Sequence, residues 1–215
     1  MPAYGGLMVT ATCTTHAQMR PTKPGSAFRT LNRGGGRWGP RQRPRHWTEN
    51  ISAAWRLMIG GRVSRARLKP HIESYAEAVL AKNVRAGALA RIAQDKAEGY
   101  TLVLATASYR LYVDAIARRL GFDAVIATDH LGQDLDYVRA RIAGDNCYDA
   151  AKLRMITDWM AGEGIPREAA HIRAYSDHVS DAPMLQFADE PYAANPHKPL
   201  AELAGERGWP RVDWG

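Results

Sequence analysis

The chain has 215 residues, 46% of them hydrophobic, with 29 Lys or Arg against 22 Asp or Glu and a formal charge of +7. That length suits one α/β domain with an appendage, and its apolar runs are too short to span a bilayer, so no membrane segment is expected. Two cysteines far apart, Cys13 and Cys147, exclude a disulfide framework and point to a reducing, cytoplasmic setting.

Residues 1 to 48 carry eight Lys or Arg and no acidic residue, the first being Glu49; the remainder holds 21 basic and 22 acidic residues. The basic character therefore belongs to this segment alone. Gly34 to Arg45 is rich in Gly, Pro and Arg, without helical or strand period, so the first ~48 residues read as irregular. Only Leu7-Met8-Val9 can seed a strand. Three readings stay open: a solvated or out-of-frame start, an Arg-rich targeting peptide, or an arm binding nucleic acid through Arg and Trp.

Helix formers dominate residues 51 to 98. Pro70 suits a first helical turn, with Ile72, Tyr75, Ala76, Val79 and Leu80 on one stripe; Val84, Leu89, Ile92 and Ala93 form a second, stopped by Gly99. Strands and helices then alternate. Strands are expected at Tyr100 to Ala105, Ala124 to Ala127, His171 to Tyr175 and Tyr192 to Ala194. Helices are expected at Tyr109 to Leu120, Asp149 to Ala161 and Ala182 to Phe187, with a hairpin or extended excursion at Leu135 to Ile142. This order predicts a mostly parallel, Rossmann-like sheet covered on both faces. Ligands of such sheets sit beyond the carboxyl ends of the strands.

Three groups occupy such positions. Thr106-Ala107-Ser108 follows an apolar strand, where hydroxyls and backbone N–H groups can hold an anion or cap a helix. Lys152, near a helix start, can neutralise a phosphate or be a solvated surface lysine. Asp177 and Asp181, four apart after a strand, can share a hard cation or cap the next helix. His178, between them, is a weaker candidate, and Cys147 reads as buried or incidental.

Taken in order, LVLATAS (Leu102 to Ser108), RRLGFDAVIAT (Arg118 to Thr128), GDNCYDAAK (Gly144 to Lys152) and AYSDHVSDAPML (Ala174 to Leu185) resemble motifs of haloacid dehalogenase-like (HAD) hydrolases. The resemblance is to the phosphoserine phosphatase-like branch and covers residues 99 to 215. YAANP and GWPRVDW also fit. It implies a HAD core at 99–215, a small, truncated helical cap at 51–98, and hydrolysis of a small phosphorylated metabolite with Mg²⁺. It further implies Thr106, Ala107, Ser108 and Lys152 as phosphate-binding residues, Thr106 and Lys152 in catalysis, and Asp177 and Asp181 at the metal. In such enzymes an Asp at the end of the central strand attacks phosphorus, and a second Asp two residues on handles the proton. Neither is present, because the first aspartate of the chain is Asp95. Thr10-Ala11-Thr12-Cys13-Thr14 has the spacing, with Thr at both acidic positions. The resemblance thus implies a phosphatase impaired at its nucleophile; the alternatives are a non-catalytic phosphate- or partner-binding remnant and a nucleic-acid binder.

Overall fold

The computed structural model describes residues 7–11, 62–131, 136–139 and 141–215. The element order is β1 (Leu7–Ala11), β2 (Arg62–Ser64), α1 (Arg65–Lys82), α2 (Ala86–Ala97), β3 (Thr101–Tyr109), α3 (Arg110–Leu120) and β4 (Ala124–His130). There follow β5 (Tyr137–Arg139), β6 (Ile142–Ala143), α4 (Ala150–Gly162), β7 (Ile172–Ser176), α5 (Ala182–Phe187), β8 (Glu190–Ala194), α6 (Lys198–Arg207) and β9 (Arg211–Val212). Seven strands form one sheet in the order β6-β4-β3-β1-β7-β8-β9, and β2 pairs with β5 in a separate ribbon. All pairings in the large sheet are parallel except β4 with β6.

The alternation within β3 builds both layers. Val103 and Ala105 face a core with Ile156 and Met160 of α4, Leu185 of α5 and Leu200 of α6. Leu102 joins Tyr175 and Ala194 on the opposite face, and Leu104 packs there with Val113 and Ala117 of α3. A strand buried on both faces must be apolar at consecutive positions, which is what LVLA supplies.

The short seed at Leu7 to Val9 is the middle of the sheet. β1 lies between β3 and β7, with Thr10 in register with Leu104 and Tyr175, and Ala11 with Ala105 and Ser176. The expectations for residues 12 to 48 lie outside the described residues. The helical region, where described, packs on the core: Tyr75 of α1 meets Tyr112 of α3 edge-on at 5.4 Å, and Glu73 pairs with Arg118 and Arg119. Helix α1 starts five residues earlier than Pro70 suggests, because Ser64 accepts the Arg67 N–H as its cap; Pro70 lies inside.

Asp95 is fully buried at the end of α2. Its carboxylate pairs with Arg173 at 2.5 Å and Arg91 at 3.2 Å, and accepts the Tyr175 hydroxyl at 3.1 Å. The earliest aspartate of the chain is thus committed to clamping α2 onto β7. Arg173 continues the network to Glu190, whose other partners are His171 at 2.7 Å and Tyr192 at 3.0 Å. The Arg173 hydrogen bonds, with help from His171 and Tyr192 and against some burial, hold the Glu190 carboxyl at about 2 instead of 4.5. A depressed carboxyl stabilises the fold fully above its unfolded value and loses that contribution as pH falls towards the folded one. Urea midpoints of the parent protein and Glu190→Gln should therefore differ above pH 4.5 and converge as pH approaches about 2. A gap that stays constant across that window would refute the assignment.

Candidate active site

Strand β3 runs past the apolar stretch. It continues through Thr106, Ala107 and Ser108 to Tyr109, with a register shift against β4 between Thr106 and Tyr109. Helix α3 then starts behind Tyr109 with no side-chain cap. The hydroxyls of Thr106 and Ser108 are therefore not spent on capping. Thr106 is buried, and its Oγ1 accepts the Ser108 N–H at 3.1 Å.

Lys152 is not a surface residue. It lies in the first turn of α4 with 1% of its side chain exposed, and its ammonium sits 2.5 Å from Oδ1 of the fully buried Asp181. That contact is an ion pair outside hydrogen-bonding alignment. Oδ2 of Asp181 accepts the Ser176 hydroxyl at 2.7 Å. Asp181 holds the N-cap position of α5, yet its side chain caps nothing. Both of its oxygens face protein partners, which orients it as the anchor of Lys152.

Asp177 follows β7 directly and is only partly buried. Its carbonyl accepts the His197 N–H at 3.0 Å and lies 2.7 Å from His197 Nδ1. The His197 ring stacks on His178 at 4.2 Å, the two planes nearly parallel. Burial first, and the His197 ring second, hold the His178 imidazole below its ordinary pKa. Nδ1 of His178 is 2.8 Å from the Ser180 hydroxyl.

Cys147 joins these groups. It is completely buried; its N–H donates to Thr128 Oγ1 at 3.1 Å, and its sulfur is 3.5 Å from the Ile126 carbonyl. Burial pushes its thiol up to about 11, while the neighbouring Lys152 and the Thr106 backbone act in the opposite sense. A thiol so raised is a packing residue, not a nucleophile. Lys152, Asp181 and the Thr106 backbone all act on this thiol, which places them around Cys147. Thr128 extends the same wall, 2.9 Å from the Ala107 carbonyl and 2.8 Å from Asn146 Oδ1.

Sequence reading missed Ser176, Thr128, Asn146 and His197. His197 follows β8, so inspecting every strand's carboxyl end, including the last short one, would have found it.

The residue before α4, Asp149, adopts φ 55 and ψ −137, a region that glycine tolerates and other residues avoid. Its side chain makes no capping bond. Asp149→Gly should therefore stabilise the fold by about 1 kcal/mol, read as a rise in the urea midpoint. A lower midpoint would show that the aspartate compensates its own strain.

Among the described residues no three His, Cys, Asp or Glu side chains come together as a metal group. Asp181 is tied to Lys152 and Ser176, and Asp177, directly after β7, is partly exposed. Mg²⁺ takes one or two carboxylates plus waters and substrate phosphate. One carboxylate with waters and substrate phosphate meets that requirement, so Asp177 is compatible with the ion, while Asp181 is engaged by Lys152 and Ser176.

Comparison with known proteins agrees with this architecture. A family model described as haloacid dehalogenase-like hydrolase matches residues 12–186. The chain belongs to the HAD hydrolase family. A probable phosphatase of Mycobacterium tuberculosis is 36% identical over 119 residues, covering 55% of this chain and 40% of that protein. The chain thus matches about two fifths of that relative's length. A crystal structure of a Bordetella pertussis protein of unknown function superposes with a TM-score of 0.72 at 28% identity, over 78% of this chain and 74% of that one. A phosphoserine phosphatase structure shares the fold, with a TM-score of 0.53 at 19% identity over 74% and 72% of the two chains. No helix among the described residues is long and apolar enough to cross a membrane.

Proposed function

We propose that the chain is a phosphate-binding member of the phosphoserine phosphatase-like branch, built to hold a phosphomonoester and impaired in its hydrolysis. The single observation that carries this reading is a buried lysine, Lys152, held by the fully buried Asp181 just after β7. A cation kept out of water near the strand ends suits a phosphoryl group better than a neutral ligand. In this reading Thr106, Ala107, Ser108 and Lys152 cradle the phosphoryl oxygens, and Asp181 with Ser176 fixes the lysine. Asp177 would help to bind Mg²⁺ when the metal enters with substrate, a role that rests on the family resemblance. Residues 51–98 stand as the cap-like insertion, and a cytoplasmic setting is part of the same proposal.

Titration calorimetry with inorganic phosphate tests it. One phosphate should bind per chain, and Thr106→Val, which keeps the shape and removes one donor, should weaken binding about tenfold. Equal affinities in the two proteins, or no binding to either, would sink the reading.

A second reading, a remnant that binds phosphate or a partner without chemistry, is favoured by the commitment of Asp95 to its clamp. A nucleic-acid role through the basic segment concerns residues 12 to 48, outside those described; replacing Arg37, Arg41, Arg43 and Arg45 with Gln, which leaves β1 in place, should then abolish RNA or DNA affinity.

A further inference from the structure

Three hydrogen-bond contacts meet at the Thr128 hydroxyl. Its Oγ1 accepts the Cys147 N–H at 3.1 Å, and it lies 2.9 Å from the Ala107 carbonyl and 2.8 Å from Asn146 Oδ1. The residue is 1% exposed, so solvent does not satisfy these groups in its place. A hydroxyl brings one proton and two lone pairs. The Ala107 carbonyl can only accept, so the proton belongs there. Asn146 can present either end of its amide, and a half-turn about its last torsion exchanges Oδ1 for Nδ2. With that turn all three contacts become hydrogen bonds at once. Cys147 N–H and Asn146 Nδ2–H donate to Oγ1, and Oγ1–H donates to Ala107.

The bond to Ala107 falls where the sheet leaves a gap. Thr106 stands beside Ala127 and Tyr109 beside Thr128, so Ala107 and Ser108 lie within the register shift and have no partner position on β4. The Ala107–Ser108 peptide is trans, and its C=O and N–H therefore point opposite ways. Anchoring the carbonyl on Thr128 aims the Ser108 N–H away from it, and Thr106 Oγ1 accepts that N–H at 3.1 Å. On the other side of the hydroxyl, Asn146 and Cys147 lead into α4. The first turn of that helix carries Lys152, whose N–H donates to the Asp149 carbonyl at 3.0 Å. One buried hydroxyl thus holds both the turn behind Thr106 and the loop ahead of Lys152 against β4.

We propose that Thr128 is a positioning residue of the phosphate site, with its hydroxyl donating to Ala107 and accepting from Asn146 and Cys147. The inference rests on the phosphate-binding reading of Thr106 and Lys152 above. Thr128 acts through the Ala107–Ser108 peptide and through the loop before α4, not by contact with the ligand. Released from Thr128, the Ala107 carbonyl has no strand to hold it. A flipped peptide would then turn a carbonyl oxygen towards Thr106 in place of an N–H, and backbone N–H groups attract an anion where carbonyl oxygens repel it.

The test uses the full chain with inorganic phosphate. Affinity comes from calorimetry, stability from urea midpoints, and the local geometry from hydrogen exchange of the Ser108 amide followed by NMR. Thr128→Val keeps the volume and removes the hydroxyl; it should weaken phosphate binding and speed Ser108 exchange, each by about tenfold. Thr128→Ser keeps the hydroxyl and loses a methyl group; it should stay within about threefold of the parent on both readouts. A packing role alone predicts the reverse order, with the isosteric valine the milder change. Asn146→Asp tests the assignment of the proton. A carboxylate only accepts, so it draws the Thr128 proton from Ala107, and Ser108 exchange should speed up as in Thr128→Val. That variant and Thr128→Ser carry the test if Thr128→Val shows no cooperative urea transition. Parent-like affinity in Thr128→Val, a loss in Thr128→Ser as large as in Thr128→Val, or unchanged Ser108 exchange in Asn146→Asp overturns the proposal alone. If the parent itself binds no phosphate, the phosphate-binding reading falls and takes the proposal with it.

Discussion

With 4-nitrophenyl phosphate as substrate, with or without Mg²⁺, the chain is expected to show turnover at the level of the buffer blank. The family's chemistry needs a carboxylate at the end of the central strand. Here that strand is β1, flanked by β3 and β7, and it carries Thr10 in register with Leu104 and Tyr175. A threonine hydroxyl at neutral pH is a poor nucleophile without an adjacent base, and it brings no negative charge for a metal. Asp95, the first aspartate in the chain, is locked to Arg91, Arg173 and Tyr175 and cannot substitute. Removing the attacking group of an enzyme that works through a covalent intermediate costs roughly 10⁴- to 10⁶-fold in kcat. On the proposed reading, Thr106 and Lys152 would retain binding without chemistry. Robust hydrolysis abolished by Asp177→Asn would overturn this, showing that another group attacks. Reading the DNA for residues 1 to 48 in the other two frames is the companion observation. A strand ending in Asp-x-Asp-x-Thr there would assign the loss to a shifted frame.

Much of this arrangement was legible because parallel strands advertise themselves. LVLA is apolar at consecutive positions, and ligands of such sheets sit beyond the strand ends; that logic made Thr106, Asp177 and, through helix α4, Lys152 the candidates. What local pattern could not decide was burial. Lys152 and Asp181 read separately as a surface lysine and a helix cap, since nothing within either segment announces a partner 29 positions away. Their pairing is a product of packing α4 against the turn after β7. Strand β1 was hidden for a different reason. Its five residues stand at the edge of a Gly-, Pro- and Arg-rich segment, and their partners lie at Thr101 to Ala105 and Ile172 to Ser176. Such distant pairing leaves no local trace beyond three apolar residues. Asp95 was similarly unreadable, as a polar residue near a helix end whose arginine and tyrosine partners come largely from β7.

The buried Lys152–Asp181 pair gives the largest stability effect expected here. Replacing Lys152 with Met should destabilise the fold by about 3–5 kcal/mol, because it strands a fully buried carboxylate with one hydroxyl for company. Against a typical total of about 5–15 kcal/mol, that is a large fraction. Urea unfolding measures it directly as a lower midpoint. The double variant Lys152→Met/Asp181→Leu should recover most of the loss, since apolar residues of similar volume replace a buried ion pair at little or no net cost. Phosphate binding should remain lost in that recovered protein. This dissociation bears on why the pair exists. A fold that needed only stability would be served as well by the apolar pair, so recovery of stability without recovery of binding assigns the lysine to ligand capture. If the double variant instead binds phosphate as well as the parent, the pair is structural and Lys152 has no part in the site. If Lys152→Met unfolds at the parent's urea concentration, Asp181 finds compensation elsewhere, and its role as the anchor of the lysine falls.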